Sequence, residues 1–210
     1  TSANFPVTVS PDGQSIATAD RDFAAVVWNT ASGAIVATQQ EPHGKPILAA
    51  AFSRDGKTVL TGSADGSARL WSAVDGRTIA TLLSGTKGVT SVAFNPKSPT
   101  AVTAGRDRLA RIWDLASGSV LQILKGHQDD ILSASFSPDG KTVVTTSSDK
   151  SARLWNVADG RPLSRLTGHL AAVISATFSS DGKLLATASA DNTAALWNVA
   201  DGTRLKEFRG

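Results

Sequence analysis

Tryptophan occurs five times in this chain, at Trp28, Trp71, Trp113, Trp155 and Trp197, and so marks a unit that repeats after 43, 42, 42 and 42 residues. Periods of this length belong to stacked repeat architectures, in which each unit is too small to bury its own apolar faces. Two further positions keep the same beat. Thr18, Thr61, Thr103, Thr145 and Thr187 each precede their tryptophan by ten residues, and Asp22, Asp65, Asp107, Asp149 and Asp191 precede it by six.

Inside one unit the residues read as four short strands. Ile131 to Phe136 alternates apolar and small residues, and Ser137-Pro138-Asp139-Gly140 then supplies turn chemistry, with proline presetting φ and glycine accepting a positive φ. Thr142 to Ser147 is rich in β-branched residues, Ala152 to Asn156 carries the tryptophan, Val157-Ala158-Asp159-Gly160 turns again, and Pro162 to Leu166 forms the last strand. No window keeps a helical period without a Gly or Asp-Gly break. The turns recur in step at Ser10, Ser53, Asn95 and Ser179, and Gly33, Gly76, Gly118, Gly160 and Gly202 close the second turn of each unit. The expected fold is all-β: five four-stranded antiparallel blades stacked radially as a β-propeller, one region with blades near 5–40, 41–83, 84–125, 126–167 and 168–210. The outermost strands are expected at Phe5 to Val9 and Arg204 to Phe208. Five blades close a ring at about 72° between neighbours; at the roughly 51° that suits seven, they form an arc of a larger propeller with two bare apolar faces.

Composition narrows the classes of function. No apolar run approaches the roughly 18 residues of a membrane span, and residues 1–4 carry no basic and apolar leader, so the expectation is a soluble, cytoplasmic protein without a membrane partner. Cysteine is absent, which excludes disulfides, thiolate zinc sites and cysteine nucleophiles. Methionine is absent even at position 1, which points to a chain that is processed or cut from something longer. The net charge of +3 is spread thinly, with only Arg106, Arg108 and Arg111 clustered, so nucleic acid is an unfavoured partner.

The three histidines, His43, His127 and His169, each stand 28 residues before a tryptophan. With the Thr and Asp of the same frame they admit a hydrolytic or metal-binding reading, and equally a buried network in which imidazole, carboxylate, hydroxyl and indole satisfy one another. Near-copies of an active site in successive units, and one histidine per unit, favour the network. No catalytic, cofactor-binding or metal residue is therefore assigned. A Gly-rich phosphate loop and a nucleophile elbow are both lacking, and glutamate occurs only at Glu41 and Glu207.

Gly126-His127 and Gly168-His169, followed by Asp149 or Asp191 and then Trp155-Asn156 or Trp197-Asn198, together with Trp113-Asp114, resemble the WD-repeat β-propeller family over essentially the whole chain. The resemblance implies structural hydrogen-bonded tetrads at His43, Thr61, Asp65 and Trp71, at His127, Thr145, Asp149 and Trp155, and at His169, Thr187, Asp191 and Trp197. Gly85 stands where the third unit would have its histidine, and the first unit begins too late for one, so those two blades are expected to be less firmly pinned. The family's usual contact positions fall here on Phe5, Arg21, Leu48, Arg106, Asp130, Leu132 and Ile174, which implies a protein or peptide partner with apolar character. The resemblance thus implies a non-enzymatic interaction scaffold that takes no cofactor. The alternatives are one stretch of a longer sensor or scaffold arm, similar to bacterial WD-repeat arrays attached to signalling proteins, and a fragment that self-associates through its end blades.

Overall fold

A computed structural model of the chain describes residues 6–85 and 87–209. Its twenty strands form five four-stranded antiparallel sheets, each ordered as the chain runs. The first blade runs from β1 (Val7–Val9) to β4 (Ile35–Thr38) and the second from β5 (Ile47–Phe52) to β8 (Thr78–Leu83). The third spans β9 (Val89–Phe94) to β12 (Val120–Lys125), the fourth β13 (Ile131–Phe136) to β16 (Pro162–Leu166), and the fifth β17 (Val173–Phe178) to β20 (Arg204–Arg209). Of the expected first strand, Val7 to Val9 is present, and Phe5 lies outside the described residues.

Local chemistry explains the turns. In the second blade the Ser53 hydroxyl donates to Asp55 Oδ1 at 2.6 Å, the same oxygen accepts from Lys57 N, and Gly56 takes φ +70 to complete the reversal. The third blade has no glycine in this turn. Its Asn95 takes the aspartate's part, accepting from Lys97 N at 2.9 Å, while its amide donates 3.0 Å across to Gly140 O and ties the turn to the next blade.

Packing runs between blades. Four apolar clusters each join two consecutive blades, and each centres on the tryptophan of the later one: Trp71 on Ala17, Val27 and Ala37; Trp113 on Leu60, Leu70 and Leu82; Trp155 on Val102, Ile112 and Leu124; Trp197 on Val144, Leu154 and Leu166. The first interface is the thinnest, with alanines where the others have leucine or valine. At the position filled by Leu82, Leu124 and Leu166 it has Gln39, which is 2% exposed. Gln39 Oε1 accepts from Ala25 N at 3.2 Å, but its Nε2 is buried without a partner. Gln39→Leu should therefore raise stability by about 1 to 2 kcal/mol, removing an unsatisfied amide and adding apolar burial. Urea denaturation checks this, and a lowered midpoint would mean that the Ala25 N–H cannot find another acceptor.

The inner strands touch in chain order, β1 to β5 to β9 to β13 to β17, and among the described residues no comparable contact returns from the fifth blade to the first. The outward faces are bare accordingly. Val9 is 56% exposed where Phe52 is 9% exposed, and Phe208 is 47% exposed where Leu166 is 2% exposed. The described blades thus form an open arc.

Candidate functional site

One end of the arc carries both the turns between second and third strands and the loops that lead from one blade to the next. The fourth blade shows how this end is built. Trp155 Nε1 donates to Thr145 Oγ1 at 2.8 Å, the Thr145 hydroxyl donates to His127 Nε2 at 2.8 Å, and His127 Nδ1 donates to Asp149 Oδ2 at 2.8 Å. A carboxylate can only accept, so the imidazole proton sits on Nδ1 and one directed chain of bonds runs from indole to carboxylate. Asp149 also accepts from Ser151 Oγ at 2.6 Å and Gln128 N at 3.0 Å, so it fastens the incoming loop to the turn. The fifth blade repeats the arrangement, with Trp197 and His169 both 2.9 Å from Thr187 Oγ1 and His169 3.1 Å from Asp191. Thr145 is completely buried and committed to Trp155 and His127, so its hydroxyl cannot meet a substrate.

The other blades depart from this scheme. In the second, His43 bonds Thr61 at 2.9 Å and Asp65 at 3.2 Å, but Trp71 Nε1 is buried with no partner, and the Thr61 hydroxyl lies 3.4 Å from Arg69 O. In the third, where Gly85 stands in place of the histidine, a hydroxyl of the same loop takes its part. Ser84, one residue before Gly85, bonds Thr103 Oγ1 at 2.7 Å, and Trp113 donates to that oxygen at 2.9 Å. Asp107 there pairs with Arg111 at 2.7 Å. In the first, Trp28 reaches Thr18 at 2.9 Å, and the turn is held by Asp20, which accepts from Asp22 N and Ala24 N; Asp22 is exposed. Sequence reasoning overlooked Ser84. It also overlooked the hydroxyl two residues after each network aspartate, Ser67, Ser151 and Thr193, although the recurring Asp-x-Ser/Thr spacing carries that signal.

Electrostatics follow from the burial. Burial holds His43 and His127 below the usual histidine value of 6.5, although Asp65 and Asp149 pull the other way. For the carboxylates burial opposes charge, but the Ser67 or Ser151 hydroxyl, a backbone N–H and the facing histidine together outweigh it and bring Asp65 and Asp149 to about 2. A depressed histidine adds stability that is whole above pH 6.5 and is lost as pH falls through its folded value. A depressed aspartate adds stability that is whole above pH 3.8 and is lost as pH falls toward about 2. The melting temperature should accordingly fall in two steps, the first beginning below pH 6.5 and the second below pH 3.8. A profile level from pH 6.5 down to 3.8 would mean that the histidines are not kept neutral in the fold.

The expected contact positions fall at this end on two kinds of backbone. Leu48, Leu132 and Ile174 occupy bulges, where the first-to-second strand register slips between Ile47/Ala49, Ile131/Ser133 and Val173/Ser175. A bulge leaves its extra residue unpaired and re-aims the side chain, here at the inner end of each blade. Thr90 stands at the same place in the third blade and donates to Ile131 O at 2.5 Å, stitching that blade to the fourth. Arg21 and Arg106 are exposed on turns, and Asp130 is half-buried with its carbonyl accepting from Ser148 N at 3.0 Å. Ile174 is 52% exposed. Among the described residues no cluster of three or more metal-ligating side chains is present.

Residues 34–72, 76–114, 118–156 and 160–198 match the family described as WD40: WD domain, G-beta repeat. Each match starts just before the outer strand of one blade and ends with the tryptophan strand of the next, so the sequence repeat straddles two blades and couples them covalently. A comparison with curated proteins gives no match. Among solved structures, the crystal structure of a computationally designed protein, Ika8, superposes with a TM-score of 0.87 at 23% identity, covering 98% of this chain and 61% of that one. The chain thus spans about three fifths of the length of that designed protein, and the likeness concerns the fold.

Proposed function

We propose that this chain, which belongs to the WD40 family of WD-domain, G-beta repeats, is a non-enzymatic scaffold that binds a protein or peptide across the end of the arc where the tetrads stand. The observation that carries this reading is a division of labour. In the fourth and fifth blades the repeating Trp, Thr, His and Asp are bonded to one another, whereas positions that differ between blades, Leu48, Thr90, Leu132 and Ile174 on the bulges and Arg21, Arg106 and Asp130 on the turns, gather at one end. Invariant residues then supply rigidity and variable ones specificity. The same reading takes no cofactor or metal, and places the protein in the cytoplasm. Among the described residues no helix is long and apolar enough to cross a membrane.

Selection from a displayed peptide library tests it. Selected peptides should lose about tenfold or more in affinity to Leu132→Asp, with melting unchanged, and should ignore Lys141→Glu and Lys183→Glu on the opposite end. Peptides indifferent to the first and sensitive to the others would place recognition elsewhere.

A second reading has its own observation. Ala188 and Phe208 are exposed on the fifth blade at positions that inner blades bury, and Val7 and Val9 are exposed on the first. These are the two halves of the interface that joins successive blades, so they fit further blades of the same kind, in a longer scaffold arm or in a second copy. Sedimentation over a concentration range separates this from a monomer with bare ends.

A further inference from the structure

Charge along the binding end is uneven. On the first blade Arg21 stands beside Asp20 and Asp22, on the fourth Lys150 accompanies Asp129 and Asp130, and on the fifth the corresponding residues are alanines and Asn192. Between them, Lys45, Lys87, Arg106 and Arg108 are all exposed, and none forms an ion pair among the described residues.

Backbone contacts bring these four side chains onto one surface. The loop with Lys45 is held to the second blade's turn by Ser63 Oγ donating to Lys45 O at 2.8 Å and Ala64 N donating to Pro46 O at 2.9 Å. That turn meets the next loop through Ser84 N donating to Gly66 O at 3.1 Å, and a side chain on Gly66 would strike Gly85 O. The loop with Lys87 meets the third blade's turn through Arg106 N donating to Gly88 O at 3.0 Å, and Arg108 N closes that turn on Gly105 O at 3.2 Å. The carboxylates of the two turns are occupied: Asp65 by His43, Gly44 N and Ser67, and Asp107 by Arg111 and Leu109 N. Arg108 also takes φ +68, in the left-handed region, at the place where the second blade has Gly66. Phe23, Lys150 and Asn192 take nearly the same φ at this place in their blades, so the turn itself sets it.

Beside this surface lies an apolar foothold. Gly88 is buried with Leu48 Cδ1 and Ala64 Cα near enough to touch any side chain placed on it, so the Leu48 methyl group adjoins the basic loops at the inner end of the second blade. We infer that the second and third blades bind an acidic peptide segment, its glutamate or aspartate side chains on Lys45, Lys87, Arg106 and Arg108 and an apolar side chain on Leu48. This rests on the scaffold reading and gives its partner a chemistry. Nucleic acid fits less well, because a strand continuing past the third blade meets Asp129 and Asp130, where phosphates are repelled and a basic peptide residue is welcome.

Fluorescence anisotropy with a labelled peptide of alternating glutamate and leucine tests the inference against its glutamine counterpart and a labelled single-stranded oligonucleotide. The acidic peptide should bind about tenfold or more tightly than the glutamine form and weaken as salt is raised. Lys87→Glu with Arg106→Glu should abolish the preference, and Lys45→Glu, which leaves the third blade untouched, should lower it with melting unchanged. Equal binding of the acidic and glutamine peptides, both lost with Leu48→Asp, would overturn the acidic preference while leaving the scaffold reading standing. Indifference of the acidic peptide to all four substitutions, or tighter binding of the oligonucleotide through the same cations, would overturn the inference. Failure of the scaffold reading would show separately, as library peptides that ignore this end of the arc altogether.

Discussion

Trp155→Ala should cost about 4 kcal/mol of folding stability, and Trp28→Ala about 1 kcal/mol, although the two residues hold the same register in their repeats. Trp155 is 1% exposed and packs on Val102, Ile112 and Leu124 of the preceding blade, so truncation opens a cavity inside an interface and removes the indole donor to Thr145 Oγ1, which keeps only its bond to His127. Trp28 is only half-buried, because among the described residues no blade precedes its own. Denaturant midpoints of the two variants measure the difference. Equal losses would mean that Trp28 is covered in solution, by ring closure or by another copy.

The blades were legible because a single period carries three residue types whose roles are local to one blade or one interface. The strands of the fourth unit could be read residue by residue, since Ser137-Pro138-Asp139-Gly140 and Asn156 to Gly160 fix their reversals through their own side chains and glycine φ. What could not be read depends on pairing register or on neighbouring blades. Nothing in Ile131-Leu132-Ser133 announces a bulge, because the slip is set by the partner strand. Ser84 takes the histidine's place only because the loop brings it over Thr103, and Trp71 is left without a partner in a unit whose sequence has every member of the network. Gln39 shows the opposite case. Its spacing from Trp28 matches that of Leu82 from Trp71, yet its buried amide became visible only once β4 was docked on the second blade. Among the contact positions, Arg21 and Arg106 could be placed from register alone. Lys45, Lys87 and Arg108 join Arg106 through loop stacking, which no linear spacing records.

Asp149→Ala should cost about 3 kcal/mol, against about 1 kcal/mol for Asp107→Ala at the same place one repeat earlier. The Asp149 side chain is 4% exposed and accepts from His127, Ser151 and Gln128 N, so its loss leaves His127 Nδ1–H and the Ser151 hydroxyl buried without partners. Asp107 has Arg111 and Leu109 N, and the half-buried Arg111 can turn toward water when the carboxylate is gone. The pair of variants also separates frame from site. If the network only holds loops in place, Asp149→Ala lowers the melting temperature and leaves peptide affinity unchanged at temperatures where the variant stays folded. An affinity lost in step with no change in melting would instead make the carboxylate part of the contact surface, and the division between repeating and variable positions would no longer describe how this chain works.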